Sequence, residues 1–273
     1  MGILINNMLR SLVFLFCAFC FFSAEALAES GEERVANAAS TIQYASQKIA
    51  KSYFYKEHDI RYETAVQQMQ EGLAEFDNNL PILQQGIQGK EQKNIMKFLL
   101  SSYDQLKMIL PKPFNKKNGA IVIDASESLF DAAGFLAEAH VPKDRTAAQT
   151  LLEETQLLLR LLERINKYYI AHHAGIKNNN NVIQLKQAVA TFEAGLSKVT
   201  AHANESGALE KNVTSINKLW PIAKDFYLGV QQRAQPVIVL AATDKLTDEL
   251  LVLEKHHKLN TQKDPQQQMK SKH

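Results

Sequence analysis

The 273-residue chain is nearly neutral, with 31 lysines and arginines against 29 aspartates and glutamates and a net charge of +2. Because no stretch concentrates the basic residues, the sequence argues against nucleic acid as a partner. Both cysteines lie in the first 20 residues. We therefore expect the rest of the chain to hold no disulfide, thiolate metal site, attached haem or cysteine nucleophile.

The N-terminal segment, residues 1–28, reads as a signal peptide. Arg10 supplies positive charge, residues 12–22 form an apolar run, and an Ala-Leu-Ala sequence ends at Ala28, as at a cleavage site. The run is shorter than the roughly 20 apolar residues of a membrane span, although an uncleaved anchor is the rival interpretation. We expect a mature protein that begins near Glu29 and is located in the periplasm.

From residue 33 onward, apolar residues recur at alternating steps of three and four, which is typical of one face of an α-helix. The pattern predicts eight helices. The first is marked by Val35, Ala38, Ile42, Ala45, Ile49 and Tyr53, and the fifth by Leu151, Thr155, Leu158, Leu162, Ile165 and Tyr169. Near-heptad spacing favours long helices that cross at shallow angles. We therefore predict an all-α fold, an elongated up-and-down helical bundle.

Clusters of proline, glycine and asparagine divide the predicted helices, and they fall at 111–119, 142–144, 175–181 and 204–207. Pro81 and Pro221 lie within helical patterns. Because proline removes an amide donor, we expect a kink or an early stop at each. The β-like stretch 236–240 is assigned to the start of the last helix. The polar composition beyond it predicts a disordered tail over 258–273.

The two halves of the predicted bundle share a pattern. Residues 46–53 read SQKIAKSY and residues 162–169 read LERINKYY, and each stretch is followed by a helix with a Gly-Leu pair, at Gly72 and at Gly195. Duplication of a helical unit is the simplest account, although any two amphipathic stretches align to some degree. We predict one unit over 31–140 and a second, related unit over 144–257.

Residues 37–51, NAASTIQYASQKIAK, resemble the signature helix of the PilJ-type sensor family. That family forms the N-terminal periplasmic region of type IV pili methyl-accepting chemotaxis transducers, and nitrate and nitrite sensor kinases carry a similar helix. The residues that match the family pattern are Asn37, Ala39, Ser46, Gln47, Ile49, Ala50, Lys51 and Tyr53. The resemblance implies a helical sensor domain that binds a small ligand and forms a homodimer through its first helix.

Two departures from the family pattern bear on function. Nitrate-type sensors hold their anion with arginine in the middle of this helix, where the present chain has Thr41, Ile42 and Gln43. Threonine and glutamine cannot replace the charge and bidentate geometry of a guanidinium, which argues against nitrate. Family sensors also continue into a second membrane helix and signalling modules, but no second apolar run of about 18 residues follows here. We therefore expect a free-standing sensor-like module.

Eight polar residues on the first and fifth predicted helices are the candidates for a ligand site. They are Asn37, Thr41, Gln47, Lys48, Lys51, Arg160, Arg164 and Lys167. Such side chains suit a small anionic or polar ligand. The alternative is structural: the lysines of the first helix would form a solvated face, and the cations of the fifth would pair with Glu153, Glu154 or Glu163.

Two histidine pairs, His172-His173 and His256-His257, invite a metal interpretation. Adjacent histidines point to different faces of a helix, and a zinc site needs three or four converging ligands. We therefore expect surface histidines, with no metal and no other cofactor. The sequence has no glycine-rich phosphate loop and no G-x-S-x-G elbow, so we predict no enzymatic activity.

The expected function is an exported, non-enzymatic, sensor-like binding module that binds a small ligand or a membrane-bound signalling protein of the envelope. The alternative is a structural or scaffolding helical bundle of the cell envelope, which would bind a protein through its helix faces and hold no small ligand. A bundle that binds metal or non-covalent haem is a third hypothesis, which no particular motif favours.

Overall fold

The computed structural model describes residues 31–207 and 209–270, without side-chain detail at 203–206 and 262–270. Within these residues the chain forms an up-and-down bundle of eight α-helices and no strand, which confirms the predicted all-α fold. The helices are α1 (Gly31–Glu57), α2 (Tyr62–Gly86), α3 (Lys90–Ile109), α4 (Lys116–Glu138), α5 (Ala147–His173), α6 (Asn179–Ser206), α7 (Glu210–Leu228) and α8 (Pro236–Lys270). The predicted signal peptide lies outside the described residues.

Helix ends follow local side-chain chemistry. The side chain of Asn115 accepts a hydrogen bond from the backbone nitrogen of Asn118 at 2.8 Å and caps the start of α4. Thr146 and Gln149 exchange reciprocal side-chain and backbone bonds at the start of α5, which is a capping box. Gly175, with a φ of 90°, follows the end of α5. The chain does break within the predicted stretches 111–119, 142–144 and 175–181, although α4 already begins at Lys116 and α6 at Asn179. The connection predicted at 204–207 comes later than expected, because α6 continues to Ser206.

The two prolines within helical patterns do not stop their helices. α2 continues past Pro81 to Gly86, and α7 continues past Pro221 to Leu228. The early-stop alternative is therefore wrong at both prolines, and a kink at each stays a prediction. Side chains beyond each proline, Leu83 and Ala223, are fully buried, so tertiary packing holds the last turns in helical form despite the lost amide donors.

The last helix begins at Pro236, as predicted, and extends well beyond the expected start of a disordered tail at Lys258. Its backbone is helical as far as Lys270. Lysine and glutamine are good helix formers, and adding residues to an existing helix avoids the cost of nucleation. A polar composition therefore did not end this helix at the predicted position.

Three helix pairings of the first half recur in the second half, which also has a substantial contact between α6 and α7 that the first half lacks. α1 packs on α2 and α4, and α3 packs on α4; correspondingly, α5 packs on α6 and α8, and α7 packs on α8. α1 and α5 also pack on each other. Duplication of a helical unit stays a prediction, with which this order of contacts agrees.

Two glycines allow the outer helices to approach the central ones closely. A Cβ atom at Gly72 in α2 would lie 2.9 Å from Cγ1 of Ile49 in α1, and one at Gly195 in α6 would lie 3.0 Å from Cδ2 of Leu158 in α5. Both distances are shorter than normal carbon contacts. Each Gly-Leu pair therefore places its glycine against a central helix, but the contacted residues, Ile49 and Leu158, are not aligned positions of the two halves.

The central helices α1 and α5 are enclosed almost completely. Every residue from 45 to 55 in α1 is buried, and so is every residue from 165 to 172 in α5. The apolar positions predicted for α1 are all in the core. Because a helix covered on all sides also buries its polar side chains, α1 and α5 place lysine, glutamine and asparagine inside the protein, where each needs a partner.

Candidate functional site

A buried ion pair joins the two central helices. Lys51 Nζ of α1 lies 2.7 Å from Glu163 Oε2 of α5, and the two side chains are 1% and 3% exposed. One turn away along the same seam, the hydroxyl of Tyr55 donates to Asn166 Oδ1 at 2.8 Å. Charges this deep are tolerated only when they are paired. The expectation that Lys51 belongs to a solvated face is therefore wrong.

Several other polar atoms of the two central helices are buried without a bonding partner. Gln47 donates from Nε2 to the carbonyl oxygen of Ser126 at 2.9 Å. Among the described residues, Gln47 Oε1, Ser52 Oγ, Tyr53 OH and Asn166 Nδ2 are buried and make no hydrogen bond. Buried groups of this kind are normally bonded. The polar interior of α1 and α5 therefore costs stability that apolar side chains of the same shape would not.

Lys48 lies at the edge of the seam and faces α2. Its ammonium group lies 3.1 Å from Glu71 Oε2 and 3.2 Å from Glu75 Oε1. Burial opposes protonation of Lys48, but the two glutamates outweigh it and raise the pKa of the lysine. Lys48 is therefore held as a cation in a pair of salt bridges, with its side chain only 9% exposed.

The cations of α5 converge on Glu127 of α4. Lys167 Nζ, fully buried, lies 2.5 Å from Glu127 Oε1 and donates to Ser126 Oγ at 3.3 Å. Arg164 donates from Nε to Glu127 Oε1 at 3.1 Å, and its Nη2 group binds Glu127 Oε2. The expected pairing with Glu153, Glu154 or Glu163 is therefore wrong for both cations, because the carboxylate comes from a neighbouring helix.

The protonation of this cluster follows from its geometry. Burial opposes the charge on Glu127, but Lys167 and Arg164 outweigh it and lower the pKa of the carboxyl group to about 2. Burial lowers the pKa of Lys167 to about 8, and Glu127 limits the decrease. Near neutral pH the carboxylate and both cations are therefore charged, and the two cations share one carboxylate.

Beside this cluster, α4, α5 and the start of α6 border a cleft of about 530 Å³ that is open to solvent. Its walls are mostly polar and include Asp124, Glu127, Ser128, Asp131, Arg164, Tyr168, Asn180, Asn181 and Gln184. Gln184 accepts a hydrogen bond from Arg164 Nη2 at 3.1 Å and so fixes the guanidinium against α6. A volume of this size holds a small organic molecule. We refer to this space as the α4–α5–α6 cleft.

Asn181 contributes an unpaired amide to the cleft. Its side chain is only 7% exposed, it lines the cleft, and it makes no hydrogen bond with the described residues. A primary amide offers two donors and an acceptor, and a side chain that is nine-tenths buried normally uses them. The amide of Asn181 is therefore available to a molecule that enters the cleft.

The remaining predicted site residues lie away from the cleft. Thr41 donates to the backbone oxygen of Asn37 within α1 at 2.9 Å. Arg160 has a buried Nε atom without a hydrogen bond, and burial lowers the pKa of its guanidinium to about 10 despite Glu153 and Glu254. Of the eight predicted residues, Arg164 alone lines the α4–α5–α6 cleft. A ligand-binding role for the eight residues stays a prediction.

Sequence reasoning missed most of the cleft. Asp124, Glu127 and Asp131 are separated by three and four residues, the spacing that puts side chains on one helix face, so a search for polar as well as apolar periodicity could have found them. Asn181 was read only as part of an asparagine-rich break. Its place in the first turn of α6, beside α5, depends on tertiary packing and has no sequence signal.

The paired histidines differ in their surroundings. His257 and His172 are buried, whereas His173 is exposed, so the expectation of surface histidines is wrong for one member of each pair. His257 Nδ1 bonds Thr155 Oγ1 at 2.9 Å. No group of three or more histidine, cysteine, aspartate or glutamate side chains is placed to hold a metal ion within the described ranges.

None of the helices described here combines the length and apolar character that a membrane span requires. Comparison with protein-family models, with curated protein sequences and with solved structures finds no match in any of the three.

Proposed function

We propose that the protein is an exported, periplasmic, non-enzymatic sensor-like module that binds a small polar ligand in the α4–α5–α6 cleft. The observation that carries this proposal is the cleft itself: about 530 Å³ of open space, with the unbonded amide of Asn181 and the predicted site residue Arg164 in its walls. The signal-like N-terminal segment and the resemblance of residues 37–51 to the PilJ-type signature helix support the sensor-like part of the proposal.

The position of the cleft allows a bound ligand to affect the packing of α5 on α1. Arg164 and Lys167 belong to α5, which packs on α1 through the Lys51–Glu163 pair. A ligand that binds beside Glu127 changes the charge balance around both cations of α5. The buried polar seam between α1 and α5 then transmits that change, because its charges cannot move without new partners.

The same seam bears on oligomeric state. Family sensors pair through the signature helix of two chains, but here α1 is covered by α2, α4 and α5 of its own chain. We infer that the packing of α1 on α5 takes the place of the expected homodimer contact. Light scattering that gives a monomer mass at micromolar concentration is the expected result, and a stable dimer would contradict this inference.

A thermal-shift screen of the purified protein against amines, amino acids, organic anions and sugars tests the proposal. A ligand at about 100 times its Kd adds about 2.7 kcal/mol of stability. That corresponds to a rise in Tm of roughly 5–10 °C for a domain of this size. We expect at least one class of small molecule to produce such a rise.

Two variants test whether the ligand-induced rise in Tm comes from binding in the cleft. Asn181→Ala and Gln184→Ala remove polar groups from the cleft wall and should reduce the ligand-induced shift. Gln187→Ala, on the exposed side of the same helix, is the matched control and should leave the shift unchanged. No stabilisation by any small molecule would refute the binding role and favour the scaffolding alternative.

A further inference from the structure

The cleft contains two carboxylates that have no hydrogen-bond or ion-pair partner of their own. Asp124 and Asp131 line the cleft, both are exposed, and neither makes a hydrogen bond or ion pair with the described residues. They lie seven residues apart on one face of α4, which separates their backbones by about 10 Å along the helix axis. The cleft therefore presents two separate anionic groups, with Glu127 between them in sequence.

The cations near these carboxylates are already engaged. Lys167 binds Glu127 and Ser126, and Arg164 binds Glu127 and Gln184. Burial together with repulsion from Glu127 raises the pKa of Asp131, and the pull of Arg164 and Lys167 does not cancel it. Three carboxylates, Asp124, Glu127 and Asp131, therefore stand against two cations, and the net charge of −1 disfavours an organic anion.

A divalent metal ion does not fit this arrangement. Metal carboxylate sites gather their oxygens within about 2.6 Å of one ion, whereas Asp124 and Asp131 are a heptad apart. Within the described ranges no three acidic or histidine side chains are placed to share an ion. The spacing suits a ligand that carries two positive groups at its two ends.

The amide of Asn181 is the third polar group of the site, after the carboxylates of Asp124 and Asp131. Its Oδ1 atom can accept an N–H donor from an amine. No described side chain occupies that acceptor, so a ligand in the cleft can bond it directly. Charge-assisted hydrogen bonds from an ammonium group to a carboxylate are the stronger contacts of the set.

We propose that the α4–α5–α6 cleft binds a linear aliphatic diamine or short polyamine, whose terminal ammonium groups lie against Asp124 and Asp131 and which donates a hydrogen bond to Asn181. This inference rests on the proposed function, because it names the ligand class of the same cleft. The ligand is recognised by its two charges and their separation, and its methylene chain passes the ring of Tyr168.

Isothermal titration calorimetry of the purified protein with putrescine, cadaverine and spermidine at low ionic strength tests the inference. We expect saturable binding that weakens as salt is added. Butylamine, with one ammonium group, and butanediol, with none, should bind at least about tenfold more weakly than putrescine, since each lacks charge-assisted contacts.

Variants of the two carboxylates identify the site. Asp124→Asn and Asp131→Asn should each weaken putrescine binding about fivefold, within the range for one partly exposed charge-assisted contact. Both residues are exposed, so the fold should be unaffected, as an unchanged Tm would confirm. Asp248→Asn, at an exposed position on α8, is the matched control and should bind putrescine like the wild type.

The outcomes separate this inference from the proposed function. Binding of another compound from the screen that Asn181→Ala weakens, with no diamine binding, would overturn the diamine inference and leave the ligand site intact. Equal affinity for butylamine and putrescine would overturn the requirement for two charges. Binding of Mg²⁺ with the same dependence on Asp124 and Asp131 would replace the diamine with a metal ion. No binding of any compound would overturn both proposals.

Discussion

Removing one charge from the Lys51–Glu163 pair should destabilise the protein strongly. Lys51→Met leaves the carboxylate of Glu163 buried, at 3% exposure and without its cation. Loss of one partner from a buried ion pair costs about 3–5 kcal/mol. With a urea m-value of about 3 kcal/mol/M, at the upper end of the usual range, the unfolding midpoint should fall by roughly 1–1.7 M.

The double variant separates the cost of a lone charge from the value of the pair. Lys51→Met combined with Glu163→Leu replaces both charges with apolar side chains of similar size. Such replacements are often neutral or stabilising. We therefore expect a midpoint near that of the wild type or above it, and a coupling energy of several kcal/mol between the two positions.

Urea unfolding followed by far-UV circular dichroism measures all of these variants. Lys198→Met is the matched control, because the Lys198–Glu154 pair joins neighbouring helices with its lysine 68% exposed. Surface pairs contribute about 0–1 kcal/mol, so this midpoint should change little. A midpoint for Lys51→Met as close to the wild type as that of the control would show that Glu163 is solvated, and would refute the buried seam.

Two further predictions concern pH and packing. Burial, with His256 and His202, lowers the pKa of His257 to about 4, so the unfolded chain binds more protons between about pH 6.5 and 4. Stability should fall by up to about 3 kcal/mol as pH decreases through that window, and urea midpoints at pH 7 and 4.5 should differ less in His257→Asn; an equal difference in both proteins would contradict the assignment. Gly72→Ala should cost about 1–3 kcal/mol by overpacking, because its Cβ would lie 2.9 Å from Cγ1 of Ile49. Gly31→Ala, with no atom within 4 Å, should not lower the Tm. An unchanged Tm for Gly72→Ala would contradict the close contact between α1 and α2.

The sequence predicts the helices and their apolar faces well. Each residue chosen as the core of the first helix is buried in α1, because a step of three and four residues depends only on helix geometry. The breaks at 111–119 and 142–144 were also predicted, since proline, glycine and asparagine interrupt helices through local backbone conformation.

The burial of the polar residues was not predictable in the same way. Lys51 and Lys167 look like residues of a solvated face, but they are 1% and 0% exposed. Periodicity identifies one apolar face of a helix and gives no sign that other helices cover the remaining faces. The carboxylates that pair with these lysines, Glu163 and Glu127, lie on other helices, and single-sequence patterns do not show which helices are neighbours.

The residues of the cleft were predictable only in part. Arg164 was identified as a candidate from its place on the fifth predicted helix, and it does line the cleft. Its neighbours Asp131 and Asn181 come from α4 and α6, and only the packing of three helices brings them together. Local spacing can therefore suggest one wall of a binding site, whereas the opposite walls depend on tertiary structure.

The most direct test of the account is a titration of the isotopically labelled protein with a compound that raises its Tm, followed by nuclear magnetic resonance of the backbone and side-chain amides. A ligand in the α4–α5–α6 cleft should shift the side-chain amide signals of Asn181 and Gln184 and the backbone signals around Asp131, with smaller changes along α5. Shifts confined to other helices, with the signals of Asn181 and Gln184 unmoved at saturation, would contradict the assignment of the cleft as the ligand site.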